Sequence, residues 1–290
     1  MKLQIICNPT SGNGTGKQVC SKIESLLKDK GLTAAVHFTD APQHAERLAR
    51  EAAEDQADIV IAIGGDGTLH EVAQGLADTG TALGIIPSGT GNDFVKSIHV
   101  PIDPEKALDV ILTETPKPVD TVRINKKLFL NECGCGFDVM VLDYAEKAKK
   151  HVKGLLPYLH GVIQTILHYR DTHISYSIDD GEELEKDLLV VAVANGRFIG
   201  GGIPIAPNAS PDDGKLDVLL VDSMNRPRMF SALPGLLKGS IQTFPETAHC
   251  YARKVHIRGN QLRINVDGEI ITMDEAEIEI KPSSLLVCRP

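Results

Sequence analysis

The first 120 residues alternate between short apolar runs and longer stretches with the periodicity of amphipathic helices. The apolar runs predict four strands, at residues 3–7, 34–38, 58–63 and 83–86. The stretches between and after them predict four helices, at residues 17–28, 43–54, 69–77 and 104–114. Strands and helices that alternate in this way are typical of an α/β domain with a doubly wound, mostly parallel sheet.

After residue 121 the pattern changes to short strands separated by turn residues. A hairpin is predicted around Asn125, and two helical inserts are predicted at residues 144–169 and 226–237. Further strands are predicted at residues 173–178, 188–195, 216–221, 254–257, 261–266 and 276–280. We therefore expect a nucleotide-binding α/β domain at residues 1–121 and an antiparallel β-sandwich or barrel at residues 122–290. The prediction allows the final strand to return to the first domain.

Composition narrows the range of functions. The 290 residues carry a net charge of -9, which argues against a general nucleic-acid-binding protein, because binding to a polyanion requires clustered Lys and Arg. No apolar stretch approaches the roughly 20 residues of a spanning helix, and the first residues do not resemble a signal peptide. Six scattered cysteines favour reduced thiols in the cytoplasm. Cys133 and Cys135 lack a second pair at zinc-ligand spacing, which favours core packing.

Three glycine-rich stretches follow predicted strands: Asn8-Pro-Thr-Ser-Gly12, Gly64-Gly-Asp-Gly-Thr68 and Pro87-Ser-Gly-Thr-Gly-Asn-Asp-Phe94. Glycines let backbone N–H groups close around a phosphate, and ligands bind at the carboxyl ends of strands in sheets of this kind. A bare carboxylate beside phosphate would repel it, so Asp66 and Asp93 imply a divalent cation, Mg²⁺. Each aspartate has a structural alternative as a turn or helix-capping residue.

Two common phosphate-binding motifs do not fit. The segment Gly12-Asn-Gly-Thr-Gly16-Lys17-Gln18 has three residues between its outer glycines, and Gln18 stands where a P-loop has Ser or Thr. It also does not give the dinucleotide pattern Gly-x-Gly-x-x-Gly. An ordinary P-loop NTPase and a dinucleotide oxidoreductase are therefore disfavoured.

Together with Asn131-Glu-Cys-Gly-Cys-Gly-Phe-Asp138, Asp212-Asp-Gly-Lys-Leu-Asp217 and Val266-Asp-Gly-Glu269, these stretches resemble the bacterial soluble diacylglycerol kinase family across nearly the whole chain. Gly-Gly-Asp-Gly alone is also shared with NAD kinases and 6-phosphofructokinases. The resemblance implies an NAD kinase-like first domain and ATP-dependent phosphorylation of a lipid hydroxyl.

The resemblance also implies the site residues. Nucleotide contacts would come from Asn8, Pro9, Thr10, Ser11, Gly12, Thr39, Gly65, Asp66, Gly67, Thr68, Leu69, His70, Glu71 and Thr90. Asp66 and Asp93, with Asp120 at the domain junction, would hold the catalytic Mg²⁺. A second, structural Mg²⁺ would take the carboxylate of Asp213 and the main-chain carbonyls of Ser210 and Lys215, although a plain surface turn also explains that segment.

Phosphoryl transfer also needs a group that accepts the proton of the acceptor alcohol. The family segment that supplies this base falls on Glu269. Asp267-Gly268 before it is also a strong hairpin signal, and such a turn could aim Glu269.

A lipid kinase must meet a bilayer without spanning it. Four lysines at Lys147, Lys149, Lys150 and Lys153 precede an apolar segment, which is typical of an interfacial element that contacts anionic lipid at the inner face of the membrane. A solvated helix face explains the same pattern. The alternative functions are a kinase of a soluble metabolite such as NAD and a nucleotide-binding regulatory protein without catalysis. The oligomeric state is left open, a homodimer being the commonest assembly of soluble enzymes.

Overall fold

The computed structural model describes residues 1–149 and 156–290, and it divides the chain into two compact units. Unit 1 comprises Met1–Thr121 and Pro282–Pro290, and unit 2 comprises Val122–Lys281. The chain thus passes between the units twice, and its last nine residues belong with the first 121. Each unit has its own buried apolar core.

Unit 1 is built on parallel strands. Its strands are β1 (Leu3–Cys7), β2 (Ala34–Phe38), β3 (Ile59–Gly64) and β4 (Ala82–Pro87). They lie in the order β4-β3-β1-β2, and every neighbouring pair is parallel. The chain goes from β1 to β2 on one side and then crosses to β3 on the other, so the strand order reverses between β1 and β3. All residues of β1, β3 and β4 are buried, which is typical of central strands covered on both faces.

Helices join these strands. They are α1 (Ser11–Gly14), α2 (Gly16–Asp29), α3 (His44–Glu54), α4 (Asp66–Leu76), α5 (Asp93–Ser97) and α6 (Pro104–Thr113). Helix α2 illustrates why these segments are helical. Its buried residues Cys20, Ile23 and Leu27 recur every three or four positions, so one face of the helix packs on the sheet. Asp103 caps α6 by accepting the N–H groups of Glu105 and Lys106.

The end of the chain adds an edge to the unit 1 sheet. Strand β5 (Lys117–Ile124) leaves unit 1, and the long strand β13 (Glu269–Val287) returns to it. At its end, Leu286 and Val287 pair in parallel with Ala82 and Leu83 of β4.

Unit 2 contains an antiparallel sheet that closes on itself. Its remaining strands are β6 (Lys127–Phe129), β7 (Glu132–Gly136), β8 (Thr172–Ile178), β9 (Leu184–Ala194), β10 (Leu216–Asp222), β11 (Thr247–Ala252) and β12 (Lys254–Val266). β7 pairs with β9, β9 with β8, β8 with β12, and β12 with β7, so the four strands form a small closed barrel. Strand side chains such as Phe129, Val193, Val218 and Ile264 fill its core.

The helices in the described residues of unit 2 are α7 (Phe137–Lys149), α8 (Leu156–His168) and α9 (Arg226–Lys238), with a 3-10 turn at Ile241–Thr243. Val141 of α7, Ile166 of α8 and Met229 of α9 share a second apolar cluster with strand residues. In the part of the chain that the structure describes, no helix combines the length and the apolar character needed to cross a bilayer.

The predicted hairpin around Asn125 is confirmed, because Val122–Ile124 pairs antiparallel with Lys127–Phe129. Other boundaries in unit 2 differ from the prediction. The first helical insert begins at Phe137 rather than residue 144, since Val139 and Leu142 are buried from its first turn onward. Its middle, residues 150–155, lies outside the described residues.

Two of the predicted strands form a single strand in the structure. Residues 254–257 and 261–266 belong to β12, whose pairing with β13 shifts register between Arg258 and Leu262. Such a bulge interrupts the alternation of apolar and polar positions without ending the strand, which explains the split prediction. β11 was not predicted, because its half-buried positions include polar side chains such as His249.

Candidate functional site

The three glycine-rich stretches of unit 1 meet at the carboxyl ends of β1, β3 and β4. The hydroxyl oxygens of Ser11 and Ser88 lie 2.7 Å apart, which joins the first stretch to the third. The amide of Asn8 donates to the hydroxyl of Thr68 at 3.2 Å, which joins the first to the second. The prediction that these separated loops come together is therefore confirmed.

Glycine is required where the loops touch. Gly12 has φ +59°, and a Cβ there would stand 2.3 Å from the carbonyl oxygen of Ser88. A Cβ on Gly89 would stand 2.4 Å from the Cα of Gly65. Because backbone cannot yield as the end of a flexible side chain can, any larger residue would push the loops apart.

Asp66 ties the second stretch to the third. Its two carboxylate oxygens accept the backbone N–H groups of Asn92, at 2.7 Å, and Asp93, at 2.8 Å. Asp66 therefore has the structural role that was the alternative to metal binding, but its hydrogen bonds connect two loops and do not lie within one turn. Each carboxylate oxygen has a second lone pair, so these bonds leave the carboxylate able to bind a cation as well.

Asp93 lies beside the same loop. It is buried, and its carboxylate is 3.3 Å from the ammonium of Lys96. The position of a Cβ on Gly91 would lie 2.5 Å from Asp66 Oδ2 and 3.8 Å from Asp93 Oδ2, so both carboxylates face Gly91. Two carboxylates facing one small space form a hard oxygen donor set of the kind that Mg²⁺ prefers, and the residues present therefore fit that ion.

The structure places Asp120 on β5, where it is buried and accepts the N–H of Ser283 at 2.8 Å. The neighbouring hydroxyls of Thr121 and Ser284 lie 2.7 Å apart. Asp120 therefore joins β5 to the returning end of the chain within unit 1.

The other residues predicted to contact the nucleotide differ in their hydrogen bonds and in their exposure. The N–H and the hydroxyl of Thr10 donate to the Asn8 side chain at 3.0 and 2.9 Å, and the N–H of Thr39 donates to Cys7 at 2.9 Å. Pro9 and His70 are half-buried, while Gly67 and Thr90 are exposed.

Two of the predicted contacts point elsewhere. The carboxylate of Glu71 accepts the N–H of Ala45 at 3.0 Å and so caps helix α3. The side chain of Leu69 is buried, while its N–H bonds to Gly65. The sequence could not show either orientation, because both depend on how α4 packs.

In unit 2, the predicted hairpin at Asp267-Gly268 is confirmed: Val266 pairs directly with Glu269, and both turn residues have positive φ, 47° and 91°. Glu269 stands at the first position of β13. Its side chain is 67% exposed and pairs with the ammonium of Lys127 at 3.3 Å.

Asp267 has a different environment from Glu269. Its carboxylate accepts three consecutive backbone N–H groups, from Leu130, Asn131 and Glu132, at 2.8, 3.0 and 2.9 Å. The N–H of Asp267 donates in turn to the carbonyl of Glu132 at 3.0 Å. The turn that carries Glu269 is therefore fixed to the segment that enters β7.

The segment predicted to bind a second metal ion, residues 210–215, forms a tight turn. Asp213 accepts the N–H of Lys215 at 3.0 Å and donates its own N–H to the carbonyl of Ser210 at 3.3 Å. Gly214 between them has φ +71°. Within residues 1–149 and 156–290, no three His, Cys, Asp or Glu side chains are grouped so as to hold a metal by themselves.

The sequence predicts no side-chain role for Ser88, Asn92 or Asp267. Asn92 adopts a left-handed conformation with φ 54°, and its amide donates to the carbonyl of Gly89 at 3.0 Å. Each of the three lies inside a motif that was recognised, but only the tertiary contacts show what its side chain does.

Comparison with known proteins bears on this arrangement. Residues 2–124 match the family model described as the diacylglycerol kinase catalytic domain, and residues 131–289 match the YegS C-terminal NAD kinase beta sandwich-like domain. A diacylglycerol kinase of Mycobacterium tuberculosis is 30% identical over 100% of this chain and 95% of its own length. One from Bacillus subtilis is 29% identical over 92% of this chain and 89% of its own length.

The fold is similar to that of a solved structure. A crystal structure of a diacylglycerol kinase from Bacillus anthracis matches 100% of this chain and 97% of its own, with a TM-score of 0.77 and 26% identity.

Proposed function

This chain belongs to the diacylglycerol kinase catalytic domain family, and on that basis we propose that it is a lipid kinase that transfers the γ-phosphate of ATP to a lipid hydroxyl. Diacylglycerol is the first candidate acceptor. The observation that carries the proposal is the convergence of three glycine-rich loops in unit 1, through Ser11 and Ser88 and through Asn8 and Thr68.

The loops suit a triphosphate for physical reasons. The reversal of strand order between β1 and β3 supports assignment of unit 1 to the doubly wound class, in which ligands bind at such a reversal. Backbone N–H groups and the small hydroxyls of Ser11 and Thr68 supply donors there, and the N-terminus of α4 adds a positive dipole end.

Asp66 and Asp93 would hold Mg²⁺ beside those phosphates, with phosphate and water oxygens as further ligands. The predicted third carboxylate, Asp120, is not part of this donor set, because in the described residues no three acidic side chains are grouped to hold a metal and Asp120 accepts the N–H of Ser283. When bound, the ion neutralises charge on the phosphates. The hydrogen bonds from Asn92 and Asp93 to Asp66 keep the carboxylate oriented, so that little reorganisation is needed on binding.

Glu269 is the proposed proton acceptor. In the transfer step a bond forms between the acceptor oxygen and the γ-phosphorus, the bond from that phosphorus to the β-phosphate oxygen breaks, and the hydroxyl proton passes to the Glu269 carboxylate. Its exposure leaves it accessible to a substrate. The ion pair between Glu269 and Lys127 would break when the acceptor hydroxyl binds to Glu269.

A second Mg²⁺ at Asp213, Ser210 and Lys215 is proposed as structural. Asp213→Ala should lower the thermal midpoint and abolish the Mg²⁺-dependent part of stabilisation at this turn. An unchanged melting curve with and without Mg²⁺ would count against it.

The test of function is a transfer assay with labelled ATP and Mg²⁺ across diacylglycerol, sphingoid bases and other lipid alcohols, with NAD as the soluble comparison. Product that extracts into the organic phase supports the proposal, and product confined to the aqueous phase contradicts it. Glu269→Gln is the matched variant, because it keeps the shape of the side chain and removes the base. It should still bind ATP and should lose turnover.

Peripheral contact with anionic lipid at the inner face of the membrane is proposed for the lysines at 147–153. Most of this segment lies outside the described residues, and in the described part the Lys147 ammonium stands 5.6 Å from the centre of the Tyr144 ring. Charge reversal at Lys147, Lys149, Lys150 and Lys153 should reduce co-sedimentation with anionic vesicles. Equal sedimentation of the variant and the parent protein would remove the proposal.

A further inference from the structure

Two carboxylates of unit 2 are buried close to each other, and neither has a cationic partner among the described residues. Glu132 and Asp138 lie at the two ends of the segment that runs from β7 into α7. The position of a Cβ on Gly134 would lie 2.5 Å from Glu132 Oε1 and 2.4 Å from Asp138 Oδ2, so the two oxygens are at most about 5 Å apart. Both carboxyl groups therefore occupy one small space over Gly134.

Most carboxylate oxygens of the pair lack a well-formed hydrogen bond in the described chain. Glu132 Oε1 and both oxygens of Asp138 are buried and have no hydrogen bond of ordinary geometry within the described chain. The Asn265 amide and the N–H groups of Asp138 and Val139 lie close enough to lower the pKa of Asp138, which opposes the effect of burial. The fourth oxygen, Glu132 Oε2, accepts the Asn265 amide at 3.1 Å. The Asn265 oxygen accepts the N–H of Gly268 at 2.9 Å, which fixes the direction of that amide. Three acceptors of the pair therefore lack a well-formed hydrogen bond in the described chain.

The charge of the pair is not balanced by its neighbours. Burial raises the pKa of Glu132 well above its usual range, and the carboxylates of Asp138 and Asp267 raise it further. Burial raises the pKa of Asp138 to about 7. Arg263, on the neighbouring strand β12, is held by Asp143, with two bonds of 2.7 and 2.8 Å. Since two buried charges without a counter-charge would cost several kcal/mol, either bound protons or a cation must neutralise the pair.

The residues paired with this segment in the sheet are small or polar. Gly134 has no side chain, and its partners in register are Ala192 on β9 and Asn265 on β12. The side chain of Glu132 is 98% buried, and residue 132 stands opposite Ala194 on β9. A divalent cation bonded to carboxylate oxygens at about 2.1–2.6 Å can bridge two oxygens that are up to about 5 Å apart.

We infer that Glu132 and Asp138 form a buried binding site for a hard divalent cation of the Mg²⁺ or Ca²⁺ class. Up to four carboxylate oxygens and bound water would complete its coordination. Two negative charges match one divalent ion, and oxygen ligands select hard cations over softer metals. The site is distinct from both Mg²⁺ sites proposed above.

The site is connected to the turn that carries Glu269. Asn265 bonds to Glu132 with its amide nitrogen and to Gly268 with its amide oxygen, and Asp267 binds the backbone of residues 130–132. An ion between Glu132 and Asp138 would therefore stabilise the same segment that anchors the turn. This consequence rests on the proposed function, whereas the ion site itself does not.

Thermal unfolding of the full chain without nucleotide tests the site. The parent protein for this test carries Asp213→Ala, which removes the other proposed ion site in unit 2. The amide variant carries Glu132→Gln and Asp138→Asn in addition. In chelator, the amide variant should melt at least as high as its parent, because repulsion between the carboxylates is gone. Added Ca²⁺ or Mg²⁺ should raise the midpoint of the parent by several degrees and leave the amide variant unchanged.

Either of two results would overturn the inference. One is an equal ion-induced shift in the parent and the amide variant, which would place the ion elsewhere. The other is a parent midpoint that no divalent ion moves, which would mean that bound protons neutralise the pair. Both results are independent of catalytic activity, so they are distinguishable from a failure of the proposed kinase function.

Terbium luminescence provides a second measurement if the amide variant does not fold. The chain has five tyrosines and no tryptophan, so tyrosine is the only sensitiser of bound Tb³⁺. The Tyr169 hydroxyl lies 2.9 Å from where a Cβ of Gly136 would stand, near Asp138, whereas Tyr251 lies beside Lys215 at the other proposed site. Emission that Ca²⁺ displaces should fall in Tyr169→Phe and persist in Tyr251→Phe. The reverse pattern, or no displaceable emission, would refute the site.

Discussion

The hydroxyl oxygens of Ser11 and Ser88 lie 2.7 Å apart, although 77 positions separate the two residues in the chain. Each follows the carboxyl end of a parallel strand, Ser11 after β1 and Ser88 after β4. Because β3 lies between those strands and carries the second glycine-rich loop, the three loops must share one edge of the sheet.

Gly89→Ala should separate the second and third loops. The new Cβ would stand 2.4 Å from the Cα of Gly65, so backbone must move. We expect the free energy of unfolding to fall by about 1–3 kcal/mol, and ATP binding, measured by calorimetry, to weaken by about tenfold or more, because the donors are displaced. Gly67→Ala is the control for stability, since a Cβ there meets nothing within 4 Å. Equal stability of Gly89→Ala and the parent would show that the loops are not in close contact.

Asp66 should have separable structural and chemical roles. Asp66→Ala removes the acceptor for the N–H groups of Asn92 and Asp93, and should lower the free energy of unfolding by about 1–3 kcal/mol. Asp66→Asn keeps one acceptor oxygen and should lose less stability. Both variants should lose turnover, because neither can hold Mg²⁺ as a carboxylate does. Chemical denaturation and the transfer assay together make this comparison, and full turnover in Asp66→Asn would contradict the metal role.

Asp267 and Glu269 should behave oppositely although one residue separates them. Asp267→Ala leaves the N–H groups of Leu130, Asn131 and Glu132 without their acceptor, so we expect a loss of about 2–5 kcal/mol in the free energy of unfolding. Glu269→Gln loses only an exposed pair with Lys127 and should change stability by less than about 1 kcal/mol. Denaturation curves of the two variants decide this, and a larger loss in Glu269→Gln would be contrary to the structure.

Asp143 should make stability depend on pH below neutrality. Its hydrogen bonds to Arg263 lower the pKa of its carboxyl in the folded protein. The unfolded state then binds the proton more readily, so this pair stabilises the fold above the ordinary pKa of 3.8 and the contribution is lost as the pH falls through the lowered value.

The expected size of this effect is small. Both side chains are more than a third exposed, so the contribution at neutral pH should not exceed about 1 kcal/mol. Asp143→Asn should be less stable than the parent at pH 7, and the two proteins should converge near pH 2 in urea titrations at several pH values. A difference that persists at low pH would mean that the pair acts by packing rather than by charge.

Much of unit 1 follows from the sequence alone. The strands Leu3–Cys7 and Ala34–Phe38 lie where the apolar runs predict them, and β3 and β4 lie within one residue of their predicted limits. The runs of β1, β3 and β4 are continuous because these central parallel strands are buried on both faces, so the signal is strong and local. The glycine-rich loops are equally local, since their composition reflects the backbone they must adopt.

What only the tertiary structure decided is how side chains far apart in the chain share their hydrogen bonds. The sequence marked Asp66 as acidic beside phosphate, but its bonds to Asn92 and Asp93 depend on how β3 and β4 place their loops. The sequence predicted a role for Glu269. That Asp267 fixes the turn preceding Glu269 became clear only from the structure, in which β12 pairs with β7. Period and composition are properties of neighbouring residues, whereas burial and charge compensation, as at Glu132 and Asp138, depend on contacts that arise when distant strands pair.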